Sequence, residues 1–137
     1  MTKYLHELEI RQLDEWGSGE FGASRGGRRH NGVDLVVDPD TAILATFEGV
    51  VTKLGYPYGD DLSYRYVQIT ANGYDLRIFY VKPFVSVGDK VNKDSVIGVS
   101  QSLEKRYPGI TPHVHFEIKK DGEYVDPTAL VELTKVM

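Results

Sequence analysis

Residues 113–122 read His113-Val114-His115-Phe116-Glu117-Ile118-Lys119-Lys120-Asp121-Gly122, with polar and apolar side chains alternating as far as Lys119. Strict alternation is the period of a strand, whose successive side chains point to opposite faces. It is not the period of a helix. His113, His115 and Glu117 therefore share one face, and Val114, Phe116 and Ile118 share the other. Asp121-Gly122 then supplies a tight hairpin turn, because both residue types tolerate positive φ.

The same signature recurs on the N-terminal side. Residues 64–70 and 75–81 flank Asn72-Gly73, a second hairpin signal. Residues 33–37, 42–45 and 49–54 are short apolar or β-branched runs parted by Asp-Pro-Asp and Glu-Gly, and residues 84–91 and 95–99 follow between glycines. Many short strands with Gly-rich turns predict a mainly β fold, an antiparallel β-sandwich or barrel-like hybrid. Asp126-Pro127 reads as an N-cap followed by proline at the first helical position, opening a short C-terminal helix to about Leu133. Residues 4–13 (YLHELEIRQL) alternate imperfectly and fit a short helix or an edge strand, with strand or arm preferred. Residues 17–32 hold six glycines and two serines, too flexible for a regular element.

The 137 residues fit one domain with a single core: an N-terminal arm over 1–16 and a main body over 17–130. No apolar run approaches the roughly 20 residues that span a bilayer. His6, Glu7 and Glu9 interrupt the first residues, so no signal peptide is expected. With no cysteine, disulfides and thiolate metal sites are excluded. A formal charge of −4 argues against general nucleic-acid binding, which needs a cationic surface.

Any metal must therefore be held by His, Asp or Glu, and three of the four histidines fall in two tight constellations. In His30-Asn31-Gly32-Val33-Asp34, Gly32 lets the chain fold sharply so that both side chains reach one ion. In His113-Val114-His115 both imidazoles point to one place. Two neutral imidazoles and a carboxylate fill three tetrahedral positions of zinc (Zn2+) and leave the fourth for water. If one of His113 and His115 is a ligand, the other is free to bond substrate or water. Glu117 lies on that face and is expected to support a ligand imidazole. Arg25, Arg28 and Arg29 sit beside His30, and Arg29 is a candidate contact for an anionic substrate group. His6 reads as a surface or packing histidine. Tyr56, Tyr58, Tyr64 and Tyr66 read chiefly as sheet packing, with one or two lining a groove.

These residues resemble the lysostaphin-type zinc metallopeptidases, which cut peptide cross-links of bacterial peptidoglycan. The likeness is an ordered series over about residues 17–130. It runs through Arg29-His30-Asn31-Gly32-Val33-Asp34-Leu35, Ala45 with Glu48-Gly49-Val50-Val51, and Val87-Gly88-Asp89-Lys90-Val91. Val96-Ile97-Gly98, His113-Val114-His115-Phe116-Glu117 and Val125-Asp126-Pro127 complete it. The resemblance implies that His30, Asp34 and His115 hold zinc and that His113 is catalytic, orienting water or stabilising an oxyanion. That family usually carries a further catalytic histidine just before the Val-Gly-Asp element. Here the segment reads Phe79-Tyr80-Val81-Lys82-Pro83, which puts Lys82 in its place, either as a fixed cation for an oxyanion or as a side chain that points to solvent and leaves the site slow or dead, with Tyr80 beside it as a supporting or substrate contact.

The same segment, with Tyr107-Pro108-Gly109-Ile110 and Asp126-Pro127-Thr128-Ala129, also resembles the leukocyte cell-derived chemotaxins. Those carry the peptidase fold and zinc site but act as ligands, so the resemblance leaves a recognition module without turnover as the alternative. The Val-Gly-Asp hairpin is similar to biotinyl and lipoyl carriers too, but no lysine occupies their modification turn. The expected partner is a peptidoglycan peptide. The expected setting is the cell wall, reached by non-classical or phage-mediated delivery.

Overall fold

Residues His113–Lys120 form a strand, as their alternation predicts, and it lies between neighbours on both sides in the larger of two main sheets. The computed structural model describes residues 2–25 and 28–128. In chain order these residues form β1 (Thr2–Tyr4), a 3-10 turn (Leu5–Glu7), β2 (Ser24–Arg25), β3 (Arg28–Arg29), β4 (Val33–Val36), β5 (Ala42–Leu44) and β6 (Gly49–Gly55). Then come β7 (Tyr66–Ala71), β8 (Tyr74–Phe79), β9 (Val81–Pro83), β10 (Lys90–Val91), β11 (Val96–Ser100), β12 (His113–Lys120) and β13 (Glu123–Val125). The larger sheet runs β10-β6-β7-β8-β12-β13, and β4 pairs with the first half of β12 on the edge that β13 takes further on. The smaller sheet runs β1-β5-β11-β9. Among the described residues, every strand pairing is antiparallel except β1 with β5.

The apolar face of β12 decides where the core lies. Val114, Phe116 and Ile118 are buried against Val33 and Leu35 of β4, Leu76 and Ile78 of β8, and Val67 and Ile69 of β7. Each such side chain contributes about 1.5–3 kcal/mol by leaving water. Phe47 stacks on Phe116 with ring centroids 6.1 Å apart and closes one side of this core. Both hairpin signals form turns: Asn72 and Gly73 have φ of 51° and 82°, and Asp121 and Gly122 have 52° and 82°. Positive φ at two successive residues is the geometry of a tight hairpin turn, which matches the right-handed twist of the strands it joins.

Three expectations are adjusted, and a fourth lies largely outside the described residues. Residues 4–13 are neither one helix nor one strand. Tyr4 ends β1, a 3-10 turn follows, and the chain then runs along β4, with Val36 N–H bonding Glu9 O at 2.7 Å and Ile10 bridging Leu35. Leu5 and Leu8 are buried, so the arm packs into the core. Within 84–91 only Lys90–Val91 pairs, because Asp89 accepts from Ser86 N–H and turns the chain first. The glycine-rich loop contains the β2–β3 ribbon, continued by His30 N–H to Ala23 O at 2.8 Å and Gly22 N–H to His30 O at 2.9 Å. Backbone pairing needs no side chain, so its glycines do not prevent it. The predicted helix lies outside the described residues beyond Thr128, though Asp126 Oδ1 accepts the Thr128 N–H at 2.9 Å as an N-cap does.

Candidate metal centre

Asp34 and His115 are direct cross-strand partners in the β4–β12 register, so both side chains stand together on the face opposite the core. His30 arrives from the turn before β4. That turn passes so close to β12 that a Cβ on Gly32 would lie 2.3 Å from Phe116 O and 2.9 Å from Glu117 Cβ. Only glycine fits there. The donor atoms form a small triangle: His30 Nε2 is 3.0 Å from His115 Nδ1, and Asp34 Oδ1 is 3.0 Å from His115 Nδ1 and 3.2 Å from His30 Nε2. Ligands about 2.0–2.1 Å from a tetrahedral ion are separated by about 3.3 Å, so the triangle is close to one face of such a tetrahedron.

The hydrogen bonds behind the triangle leave it suited to hold a cation. His30 Nδ1 donates to Glu20 O at 3.0 Å, and His115 Nε2 donates to Glu117 Oε1 at 2.8 Å. Each ring thus carries its proton on the outer nitrogen, a tautomer assigned from these acceptors. With no proton on the inner nitrogens, two nitrogen lone pairs and a carboxylate oxygen converge. His30, Asp34 and His115 form a cluster able to hold a metal ion. Burial alone would lower the basicity of His115, but hydrogen bonds to Asp34 and Glu117 outweigh it and push its pKa up to about 9. Burial would likewise raise the Asp34 carboxyl. Bonds from His115 and His30, with the nearby imidazole charges, instead hold it well below the usual carboxylate range. Without a metal the cluster holds a proton, which an ion would displace.

His113 lies on the same face and adjoins this triangle. Its Nδ1 donates to Thr111 O at 2.7 Å, and its Nε2 stands 3.5 Å from Asp34 Oδ2. Burial lowers its pKa, partly offset by Asp34 and the Thr111 carbonyl, so the ring is neutral with a free Nε2 lone pair at neutral pH.

A cavity of about 350 Å³ opens over these groups. Much of its lining is aromatic: Trp16, Tyr58, Tyr80 and Tyr107, with Pro57 and Ile110. Tyr80 meets His113 edge to face at 5.7 Å, and Tyr58 Oη is 2.7 Å from Tyr80 Oη and 2.6 Å from Tyr107 Oη. Arg29 and Glu117 line the cavity as well. Lys82 is not brought to it: its side chain is exposed on β9, and it is not among the lining residues. Tyr80 has φ of 70°, a left-handed conformation that costs a bulky residue about 1–2 kcal/mol. That bend turns the phenol into the cavity, sends Val81 into the core and leaves Lys82 outward. Arg11, buried against Asp34, and Trp16 come from the N-terminal region. Nothing local in the sequence marked either, whereas the tyrosine cluster before Asn72 was at least a visible enrichment.

The pattern of peptidase family M23 matches residues 28–127. The chain belongs to that family. Leukocyte cell-derived chemotaxin-2 of Mus musculus is 34% identical over 122 residues, covering 88% of this chain and 78% of that protein. The DD-carboxypeptidase/endopeptidase Mpg of Neisseria meningitidis serogroup B is 28% identical over 105 residues, 75% of this M23 chain but only 23% of that protein. The catalytic domain of the antimicrobial peptidase lysostaphin from Staphylococcus simulans superposes with a TM-score of 0.68 at 23% identity, over 93% of this chain and 95% of that one. That likeness is one of fold, and it matches the mainly β, two-sheet architecture of this M23 protein.

Proposed function

We propose that this M23 protein is a zinc-dependent endopeptidase cutting peptide cross-links of bacterial peptidoglycan. The observation that carries this reading is the convergence of the His30, Asp34 and His115 lone pairs beside a neutral, correctly oriented His113. Zinc, bound there, would supply Lewis acidity to polarise a carbonyl and acidify water. His113 Nε2 accepts the proton of the attacking water and passes it to the leaving amine. Asp34 Oδ2, close to that nitrogen, stabilises the imidazolium between the two transfers. Burial raises the pKa of Tyr80 above that of an ordinary phenol. Tyr80 therefore stays protonated and serves as a hydrogen-bond donor to the developing oxyanion, the role that the family resemblance offered to Lys82. The aromatic wall excludes water from the scissile bond, and Arg29 at the cavity holds an anionic group of the peptide.

The test is incubation of zinc-loaded protein with purified cross-linked peptidoglycan, reading newly released amines and fragment masses, with His113→Ala as control. Release no greater than that of His113→Ala would sink the peptidase reading. A second reading is a zinc-holding recognition module without turnover. It is favoured by the 34% identity to leukocyte cell-derived chemotaxin-2 and by the phenol, rather than an imidazole, opposite His113. It predicts peptide binding that survives His113→Ala and leaves the peptide uncut. For the setting we propose the bacterial cell wall with phage or non-classical delivery, supported by the bacterial peptidase relative and by a chain without cysteine.

A further inference from the structure

Arg11 is 2% exposed and lies outside the span matched by the family pattern. All three of its guanidinium nitrogens are engaged. Nε and Nη2 donate to Asp34 Oδ2 at 3.2 and 3.1 Å, and Nη1 donates to Asp14 Oδ1 at 2.8 Å and to Gly17 O at 2.7 Å. The backbone repeats the connection. Arg11 N–H bonds Asp34 O at 2.7 Å, Asp34 N–H bonds Gly19 O at 2.8 Å, and Gly19 N–H bonds Arg11 O at 3.0 Å. Gly19 is wedged between the two residues, where a Cβ would meet Arg11 Cβ at 2.6 Å and Asp34 Cβ at 2.9 Å.

The two oxygens of Asp34 are therefore divided by partner. Oδ1 faces His30 and His115, while Oδ2 faces Arg11 at hydrogen-bond distance, with His113 Nε2 at 3.5 Å and Arg25 Nη2 at 3.6 Å. A free carboxylate can bind a metal through one oxygen or two, and rotation about its Cβ–Cγ bond exchanges them. The planar fork of a guanidinium, itself held by Asp14 and Gly17, opposes that rotation in a way that a single ammonium cannot.

We infer that Arg11 is a positioning residue of the metal centre: it fixes Asp34 as a one-oxygen ligand and keeps Oδ2 turned to His113. This rests on the reading that the cluster holds a metal. The N-terminal arm is then part of the site, supplying the outer contact that sets ligand geometry. Outer contacts of this kind typically change metal affinity by about 10–100-fold.

The experiment measures zinc affinity by chelator competition, and cobalt(II) absorption spectra, for the full chain and for Arg11→Lys and Arg11→Met, each at its folded fraction by circular dichroism. The expected result is zinc affinity about 10–100-fold weaker in Arg11→Met, with only partial recovery in Arg11→Lys. The cobalt bands of Arg11→Met should weaken as the carboxylate turns bidentate and the ion leaves tetrahedral geometry. Wild-type affinity and an unchanged cobalt spectrum in the folded variants would overturn the inference, leaving Arg11 as a tie between arm and core. If Arg11→Met does not fold, Arg11→Lys and a structure of the zinc-loaded wild type decide. Asp34 bound through one oxygen with Oδ2 on Arg11 supports the assignment, and bidentate Asp34 overturns it. Failure of the wild type itself to bind zinc would overturn the metal reading instead.

Discussion

At the scale of single residues, His113 and the metal cluster separate chemistry from metal binding. His113 is not one of the three converging groups. Its replacement by alanine is expected to leave zinc bound while lowering peptide hydrolysis about 10²–10⁴-fold, measured by amine release and by metal content of the same sample. Tyr80→Phe keeps the ring packed on His113 and removes only the hydroxyl. Turnover should fall by about 10², the usual cost of losing one oxyanion donor, with substrate affinity nearly unchanged. Lys82→Ala should alter neither quantity, because the side chain is exposed and not part of the cavity wall. A large loss of turnover in Lys82→Ala would reinstate the lysine as the oxyanion partner.

At the scale of elements, the site depends on how closely the His30 turn crosses β12. Gly32→Ala places a methyl group 2.3 Å from Phe116 O, and neither backbone can yield without shifting the β4–β12 register. This variant should lose both thermal stability and zinc affinity, seen as a lower melting temperature and weaker chelator competition. Wild-type values for both in Gly32→Ala would mean that the turn is not held against the strand. Alternation on β12 was legible in the sequence because a two-residue period is local. So were both hairpins, since Asn-Gly and Asp-Gly state their own backbone geometry. The bend at Tyr80 was not. A tyrosine at positive φ carries no local signal. It is held by contacts distant in sequence, Tyr80 N–H to Arg65 O and Gln101 N–H to Tyr80 O, both at 2.8 Å.

At the scale of the whole molecule, Asp14 ties the N-terminal arm to the connection before β12. It accepts from Arg11, from Trp16 N–H at 2.8 Å and from Thr111 N–H at 3.1 Å. Burial alone would raise its pKa, but the Thr111 and Trp16 amides and the Arg11 guanidinium bring it down to about 2. A carboxyl whose folded pKa lies below its unfolded value stabilises the fold above the unfolded pKa, and the effect fades as pH falls. The Asp14 contribution is therefore full above about pH 4 and lost between about pH 4 and pH 2. Acid unfolding of the metal-free protein should be less steep in that window for Asp14→Asn; identical slopes would remove Asp14 from the account. Metal should act on the same global transition. Zinc at about 100 times its dissociation constant adds about 2.7 kcal/mol, so chelation should lower the melting temperature by several degrees.

The sequence by itself determined the strand-rich fold, the shared face of His113, His115 and Glu117, and the pairing of His30 with Asp34 across Gly32. Each of these follows from side-chain period or from a turn only a few residues long. The tertiary structure alone decided that Tyr80, not Lys82, faces His113, and that Arg11 reaches Asp34 from 23 positions away. One is set by a single strained dihedral maintained by Arg65 and Gln101, which adjoin β7 and β11. The other is set by the packing of an arm whose sequence alternates too poorly to announce its course. Contacts between segments distant in sequence depend on how the sheets assemble, and no local pattern encodes them.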